Sequence, residues 1–151
     1  PADYRRFFYR IFDIQNFLKM VYTICYISSE SNDLKENQLE EVFSTTKINN
    51  GSEDITGMLL YYYGNFLQVL EGDKEKLLNL FENIKKDKRH KNIITIFNKQ
   101  NEHRIFEGYK SGFSIIKTKS DLKNLKKYLN KTKDTTPFSK SILSLLEPFL
   151  I

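Results

Sequence analysis

The sequence has no Trp, one Cys, two His and three Pro among 151 residues. A lone cysteine, Cys25, excludes an internal disulfide framework and a multi-cysteine metal site. His90 and His103 are too few for a histidine metal cluster. No apolar run approaches the roughly 18 residues of a transmembrane helix, and Asp3 and Asp13 interrupt the only N-terminal stretch that could be a signal peptide. We therefore expect a cytoplasmic protein with no metal and no membrane contact.

Catalytic motifs are missing as well. The sequence contains no glycine-rich phosphate loop and no Ser/His/Asp or Cys/His pairing. Nothing in it indicates hydrolytic chemistry, and we expect no enzyme activity.

Aromatic residues and lysines are plentiful instead. Nine Tyr and twelve Phe, with 40% apolar residues overall, suit one domain with a well-filled core. The net charge of +5 is concentrated at 117–134, a segment that contains seven Lys and two Asp. A nucleic-acid footprint combines clustered base with aromatic residues. This segment has only Tyr128, so a solvated helix face is favoured and nucleic acid is not an expected partner.

The central feature is a predicted β-hairpin at 55–72. Two apolar, aromatic-rich runs flank Gly64-Asn65, a dipeptide suited to a two-residue turn. Gln68 lies inside the second run, and strand alternation places it on one face with Phe66 and Leu70. A buried amide without a partner costs about 1–3 kcal/mol. Gln68 therefore needs a partner, which is neighbouring backbone, another side chain or a ligand.

Hydrophobic periodicity predicts a β-α-β-β-α-β-β order. This is a ferredoxin-like α+β sandwich with one extra strand, a mixed five-stranded sheet with two helices on one face. Two further helices, at 120–130 and after Pro137, are expected on or beside the other face. The predicted strands are 21–28, the two hairpin arms, 92–99 and 105–116.

The helix ends have recognisable signals. Asp33 and Glu36 form a capping-box pattern, and the helix is predicted to end near Lys47 because Asn49-Asn50-Gly51 suits a left-handed C-cap. Asp73 is a candidate N-cap of the second helix.

Three segments follow from this pattern. Residues 20–116 form the core and 117–151 a C-terminal helical cap. Residues 1–19 are an N-terminal extension with aromatic and arginine residues at helical spacing. The extension is either a short helix, a helix on a membrane surface, or residues ahead of the natural start at Met20.

In this order, several motifs resemble the BLUF family, small blue-light sensors that bind FAD. The resemblance covers Met20 to about Phe113, most of the chain. Its motifs are Tyr26 and Ser28 on the first strand, Asn49-Asn50, Ile55-Thr56-Gly57, the strand Phe66-Leu67-Gln68-Val69-Leu70-Glu71-Gly72, and Asp87 with Arg89-His90.

The resemblance implies where the cofactor binds. The flavin ring would lie between the two helices and the sheet, facing the photoactive pair Tyr26 and Gln68. Asn50, with Asn49 beside it, would bond the polar edge of the ring. Further implied contacts are Arg89, His90 and Lys47 for the ribityl or phosphate part, and Val42, Phe43, Ile55 and Phe66 for the apolar walls. A pocket built around the ring would accept FMN or riboflavin in place of FAD.

The resemblance also implies a mechanism. Light drives an electron and a proton from Tyr26 toward the flavin, and the proton moves through Gln68. Recombination leaves Gln68 rotated or tautomerised, so that only the Tyr-Gln-flavin hydrogen-bond network has changed.

The chain departs from the family at one place. Tyr109-Lys110-Ser111 stands where the family often has Trp-x-Met on the last strand. Ser111 could offer the Gln68 amide a new partner, and Tyr109 could be a second electron donor. Both are therefore candidate modulating residues.

Three functions compete. The first is a short, single-domain photoreceptor, since about 35 residues after the last strand are too few for a cyclase or phosphodiesterase; it would act by homo-oligomerisation and through a downstream protein. The second is a light-insensitive flavin-binding or protein-interaction module of the same fold. The third, an acylphosphatase-like enzyme, rests on fold analogy alone.

Overall fold

A computed structural model describes residues 2–134 and 136–149, with the side chains of 2–3, 16–19 and 137 outside the described set. Five strands form one sheet in the order β4-β1-β3-β2-β5. The pairing is antiparallel except between β2 and β5, which run parallel. The elements are α1 (Ala2–Lys19), β1 (Val21–Glu30), α2 (Glu36–Ser52), β2 (Thr56–Tyr62), β3 (Asn65–Gly72), α3 (Lys74–Lys86), β4 (His90–Asn101), β5 (Phe113–Ile116), α4 (Lys119–Thr132), α5 (Pro137–Leu146) and a 3₁₀ turn (Glu147–Phe149).

This architecture confirms the predicted mixed α+β sheet and its element order between β1 and β5. No helix among the described residues is long and apolar enough to cross a membrane.

The sheet separates two apolar cores because successive strand residues point to opposite faces. We call them the α2/α3 core and the α4/α5 core. In the α2/α3 core, sheet residues such as Ile24 and Leu70 pack against Phe43, Leu77 and Phe81. The α4/α5 core joins the opposite face of the same strands to the two C-terminal helices, through Cys25, Met58, Leu60, Leu67, Val69, Leu122, Leu125, Leu129, Ile142 and Leu146.

Helix α2 starts and ends later than predicted. It begins at Glu36, and the Lys35 N–H donates to Gln38 Oε1 at 3.0 Å, so Asp33 with Glu36 is not the capping box. The helix continues to Ser52, and the left-handed residue after it is Asp54, with φ 55°. The 49–51 segment is therefore the last helical turn rather than its cap.

Two other predictions were wrong in detail. The hairpin turn is Tyr63-Gly64, both with positive φ as a type I′ turn requires, whereas Asn65 is the first residue of β3 and pairs with Tyr62. The predicted strand 105–116 reduces to Phe113–Ile116. Its first part is an irregular loop, because its backbone N–H groups bond to the Glu71 side chain and to carbonyls of the loop itself, instead of to the backbone of a neighbouring strand.

A buried carboxylate holds that loop. Glu71 on β3 is fully buried and accepts from the Ile105 N–H at 2.5 Å and the Phe106 N–H at 3.1 Å. Thr56 on β2 donates its hydroxyl to the same carboxylate at 2.8 Å. On the far side of the loop, the Tyr128 hydroxyl of α4 donates to the Ile105 carbonyl at 2.6 Å. The 105–106 backbone thus joins β3 to α4.

Candidate functional site

A cavity of about 300 Å³ lies between α2, α3 and the sheet. This volume is at the lower end of the range for small-molecule pockets, about 300–1,000 Å³. Its walls come from all three layers: Tyr26, Leu59, Phe66 and Gln68 from the sheet; Val42, Thr45, Thr46, Asn49 and Asn50 from α2; Leu80, Asn83 and Ile84 from α3; and Asp87, Arg89 and His90 from the segment leading into β4.

Tyr26 and Gln68 are direct cross-strand partners on β1 and β3. Both side chains are buried, and the Tyr26 hydroxyl donates to Gln68 Oε1. The Tyr26 ring packs against Phe81 of α3, with 5.3 Å between ring centroids. Burial raises the pKa of Tyr26 above its usual value, and the charge of Asp87 raises it further. The phenol is therefore a proton donor held ready beside an amide oxygen.

Two amide groups at the cavity can serve a ligand. Asn50 is buried, and its Nδ2 has no hydrogen-bond partner among the described residues. A buried donor without an acceptor costs about 1–3 kcal/mol. Gln68 uses its Oε1 for Tyr26, which leaves its Nε2 for another acceptor. The two amide nitrogens fit a ligand with carbonyl oxygens or ring nitrogens, such as an isoalloxazine ring.

The charged end of the cavity is internally neutralised. Arg89 donates from Nε to both carboxylate oxygens of Asp87, at 3.0 and 3.1 Å, and from Nη2 to Asp87 Oδ2 at 2.7 Å. The Arg89 guanidinium lowers the pKa of Asp87, which therefore remains an anion at neutral pH. The cation that would attract a phosphate already has a counter-ion.

His90 is fixed at both ring nitrogens. Its Nε2 lies 2.7 Å from the Ile84 carbonyl oxygen and its Nδ1 lies 2.9 Å from Ser28 Oγ. A carbonyl oxygen only accepts, so Nε2 donates, and in the neutral ring Nδ1 accepts from the Ser28 hydroxyl. His90 is thus a wall of the cavity beside Tyr26, with 6.3 Å between ring centroids.

Most of the predicted site residues meet at this cavity. The eight that line it are Tyr26, Val42, Asn49, Asn50, Phe66, Gln68, Arg89 and His90. Lys47, Phe43 and Ile55 do not line it. Lys47 is exposed, whereas Phe43 turns toward Tyr61 and Ile55 is buried in the α2/α3 core.

The two candidate modulating residues lie elsewhere. Tyr109 is buried in the α4/α5 core, on the opposite face of the sheet, where it packs against Tyr128 with 4.8 Å between ring centroids. Ser111 is exposed in the irregular loop before β5. Neither lines the cavity, and the structure shows no hydrogen bond between Ser111 and the Gln68 amide among the described residues.

Sequence reasoning missed part of the lining. Thr45 and Thr46 face the cavity from α2, and Asn83 and Asp87 face it from α3 and its C-terminus. Helical spacing offered a signal: Asn83 and Asp87 follow Leu80 at intervals of three and four residues, which places all three on one side of the helix.

Comparisons with known proteins agree with this geometry. The family profile "BLUF: Sensors of blue-light using FAD" matches residues 21–112. A subunit alpha of a photoactivated adenylate cyclase from Euglena gracilis is 34% identical over 84 residues, 56% of this chain and 8% of that protein. The blue light- and temperature-regulated antirepressor BluF of Escherichia coli K12 is 34% identical over 77 residues, 51% of this chain and 19% of that protein. The chain thus spans less than a fifth of either relative.

Solved structures show the same architecture. The structure described as BlrP1 BLUF superposes with a TM-score of 0.61 at 27% identity, covering 72% of this chain and 76% of that one. BlsA in its photo-activated state has a TM-score of 0.61 at 25% identity, covering 76% of this chain and 81% of that one.

Proposed function

The chain belongs to the BLUF family of blue-light sensors that use FAD, and on that premise we propose that Tyr26 and Gln68 are its photoactive pair. The observation that carries the proposal is the Tyr26 hydroxyl donating to Gln68 Oε1 at the wall of the cavity. We propose that FAD is the resident flavin, and that FMN or riboflavin can replace it because the Asn50 and Gln68 amides would bond the ring that all three share.

Four residues would hold the ring. Asn50 Nδ2, which is buried without a partner, and Gln68 Nε2, whose amide oxygen is taken by Tyr26, would supply the hydrogen-bond donors. The aliphatic and aromatic side chains of Val42 and Phe66 supply apolar walls. Such walls exclude water and strengthen each remaining hydrogen bond.

When bound, flavin supplies blue-light absorption and a one-electron acceptor. Tyr26 would donate an electron to the bound flavin while its hydroxyl proton moves along the existing hydrogen bond to Gln68 Oε1. The electron and the proton would both return to Tyr26, so no net redox product would form. The Gln68 amide would be left rotated or tautomerised, with its donor and acceptor atoms exchanged.

The energy of that change is small. One neutral hydrogen bond contributes about 1 kcal/mol net. A signal of this size can shift only an equilibrium between two nearly balanced arrangements. We propose that 20–116 is the sensory core, that 117–151 carries the output to a second copy or a downstream protein, and that the described segment itself catalyses no reaction.

The test is the visible spectrum before and after a blue flash. We expect a flavin spectrum that shifts slightly to the red and relaxes in the dark, and we expect Tyr26→Phe and Gln68→Leu to abolish the shift while retaining bound flavin. Tyr22→Phe is the matched control, since Tyr22 lies on the same strand and sheet face but does not line the cavity. A full shift in Tyr26→Phe would refute the assignment.

A second candidate function is a light-insensitive flavin-binding or protein-interaction module. It is favoured by one observation: Tyr109 and Ser111, which replace the usual Trp and Met, both lie away from the cavity. Bound flavin without any light-induced shift would support this module over the photoreceptor.

A further inference from the structure

Helix α1 presents an apolar surface that the rest of the protein does not cover. It makes no substantial packing contact with any other described element. Six of its large apolar or aromatic side chains on or beside one face are between 37% and 73% exposed, namely Tyr4, Phe7, Phe8, Ile11, Phe12 and Ile14. Contiguous exposed apolar surface of this kind marks a site of interaction with a protein or a membrane.

The large apolar side chains of α1 and its charged side chains lie on different sides of the helix, although Gln15 falls within the apolar arc. At 100° per residue, Tyr4, Phe7, Phe8, Ile11 and Ile14 fall within about 120° of arc, with Phe12 at its margin. The charged side chains, Arg5, Arg6, Arg10 and Asp13, lie outside that arc. Tyr9 also lies on the charged side, although its neighbour Phe8 lies on the apolar side.

The positive charge of the chain lies outside the sensory core. Residues 20–116 contain twelve Lys and Arg against fourteen Asp and Glu, a net charge of −2. The α1 segment 4–15 has three Arg against one Asp, which gives +2, and 117–134 has +5. The apolar surface of α1 is therefore flanked by arginines, and a further basic segment lies elsewhere on the same chain.

We propose that α1 is an interfacial helix that binds the surface of an anionic lipid bilayer. A helix with aromatic residues on one face and Arg on the other lies in the plane of a membrane, with its apolar face among the acyl chains and its cations at the headgroups. The sequence-based expectation of no membrane contact rested on the lack of a long apolar run, which excludes only a spanning helix, and a helix on a membrane surface remained one of the open interpretations of residues 1–19.

A second copy of α1 suits this surface less well. A two-stranded coiled coil buries a narrow seam at spacings of three and four residues, here Tyr4, Phe7, Ile11 and Ile14. That seam leaves Phe8 and Phe12 exposed, at 67% and 62% in the present structure. A bilayer surface accepts the whole width of the apolar face.

Binding to vesicles tests the proposal with a matched pair of variants. Phe8→Asp and Tyr9→Asp change neighbouring side chains that are both 67% exposed, each replacing an aromatic ring with a carboxylate. In the dark, we expect the full chain to co-sediment with vesicles of equal parts phosphatidylcholine and phosphatidylserine, and much less with phosphatidylcholine alone. Phe8→Asp should lower the partition coefficient about tenfold or more, and Tyr9→Asp only severalfold through its charge.

Three outcomes would overturn the proposal. They are no binding by the unmodified chain, equal loss in the two variants, and a dimer in solution that Phe8→Asp alone dissociates, which would make α1 an interface between copies. The flavin spectrum of each variant verifies that the core is folded. A negative result would leave the photoreceptor assignment intact, because no described side chain of α1 lines the cavity.

Discussion

Replacing Asp87 should change which flavin the cavity prefers. In the structure, the Arg89 guanidinium donates hydrogen bonds from Nε and Nη2 to the Asp87 carboxylate, at 2.7–3.1 Å. Asp87→Asn removes the counter-ion while keeping the size of the side chain. Arg89 then becomes available to a phosphate monoester. FMN carries such a group and riboflavin does not, so the ratio of their dissociation constants reports on Arg89 directly.

The size of the effect follows from the exposure of the pair. A hydrogen bond to a charged group contributes about 1.5–3 kcal/mol when well shielded. The side chains of Arg89 and Asp87 are 38% and 30% exposed, so solvent screening reduces this to about 1 kcal/mol. We expect FMN and riboflavin to bind the unmodified protein with similar affinity, and Asp87→Asn to favour FMN by about fivefold.

The assay is the quenching of flavin fluorescence on titration into apoprotein. Glu82→Gln is the control, because it removes the same charge from an ion pair with Lys85 on the same helix, away from the cavity. An unchanged ratio in Asp87→Asn would show that the phosphate does not reach Arg89. A large preference for FMN in the unmodified protein would show that Asp87 does not neutralise it.

Three further outcomes can be tested on the same protein. Glu71→Gln leaves only one acceptor oxygen for two backbone N–H groups that now use separate oxygens, so the free energy of unfolding in urea should fall by about 1–3 kcal/mol; a midpoint equal to that of Glu82→Gln would contradict this. Gly57→Ala would place Cβ 1.9 Å from the Val69 carbonyl oxygen at a φ of 144°, so the free energy of unfolding should fall by about 3 kcal/mol or more. Gly51→Ala, in the last turn of α2, meets nothing within 4 Å and should raise the free energy of unfolding by about 0.5–1 kcal/mol. Equal effects of the two substitutions would refute the clash. Since burial raises the pKa of Tyr26, the light-induced shift should keep its amplitude from pH 7 to about 10, the ordinary tyrosine pKa; a titration within that range would show that solvent reaches the phenol.

Local sequence signals predicted the ends of α3 well and those of α2 poorly. Asp73 is the N-cap of α3, and its carboxylate accepts from the Lys76 N–H at 3.1 Å. The buried residues of α3 are Leu77 and Phe81, four residues apart on one face. For α2, Asn and Gly near position 50 indicated an end, although tertiary context keeps that turn helical and directs Asn50 into the cavity.

The loop before β5 could not be predicted from periodicity. Ile105 and Phe106 are buried like strand residues, but their N–H groups bond to Glu71, which lies 34 residues earlier in the chain for Ile105. A long-range partner of this kind leaves no periodic trace.

The site was predicted through the family rather than through the residues alone. A mid-strand Gln68 indicated an amide in need of a partner, and the structure supplies Tyr26. Nothing in the spacing of Tyr109 and Ser111 revealed that the chain leaves the sheet there.

Because helices pack on both faces of the sheet, the position at which the sensor domain ends along the chain matters for its folding. The family match ends at residue 112, yet Met58, Leu67 and Val69 bury their side chains under α4 and α5. A fragment ending at Ile116 would present that whole apolar layer to water. The sequence unit that the family match covers is thus smaller than the apolar layer it needs covered, and any arrangement of this domain must either keep these two helices or replace them with another apolar cover.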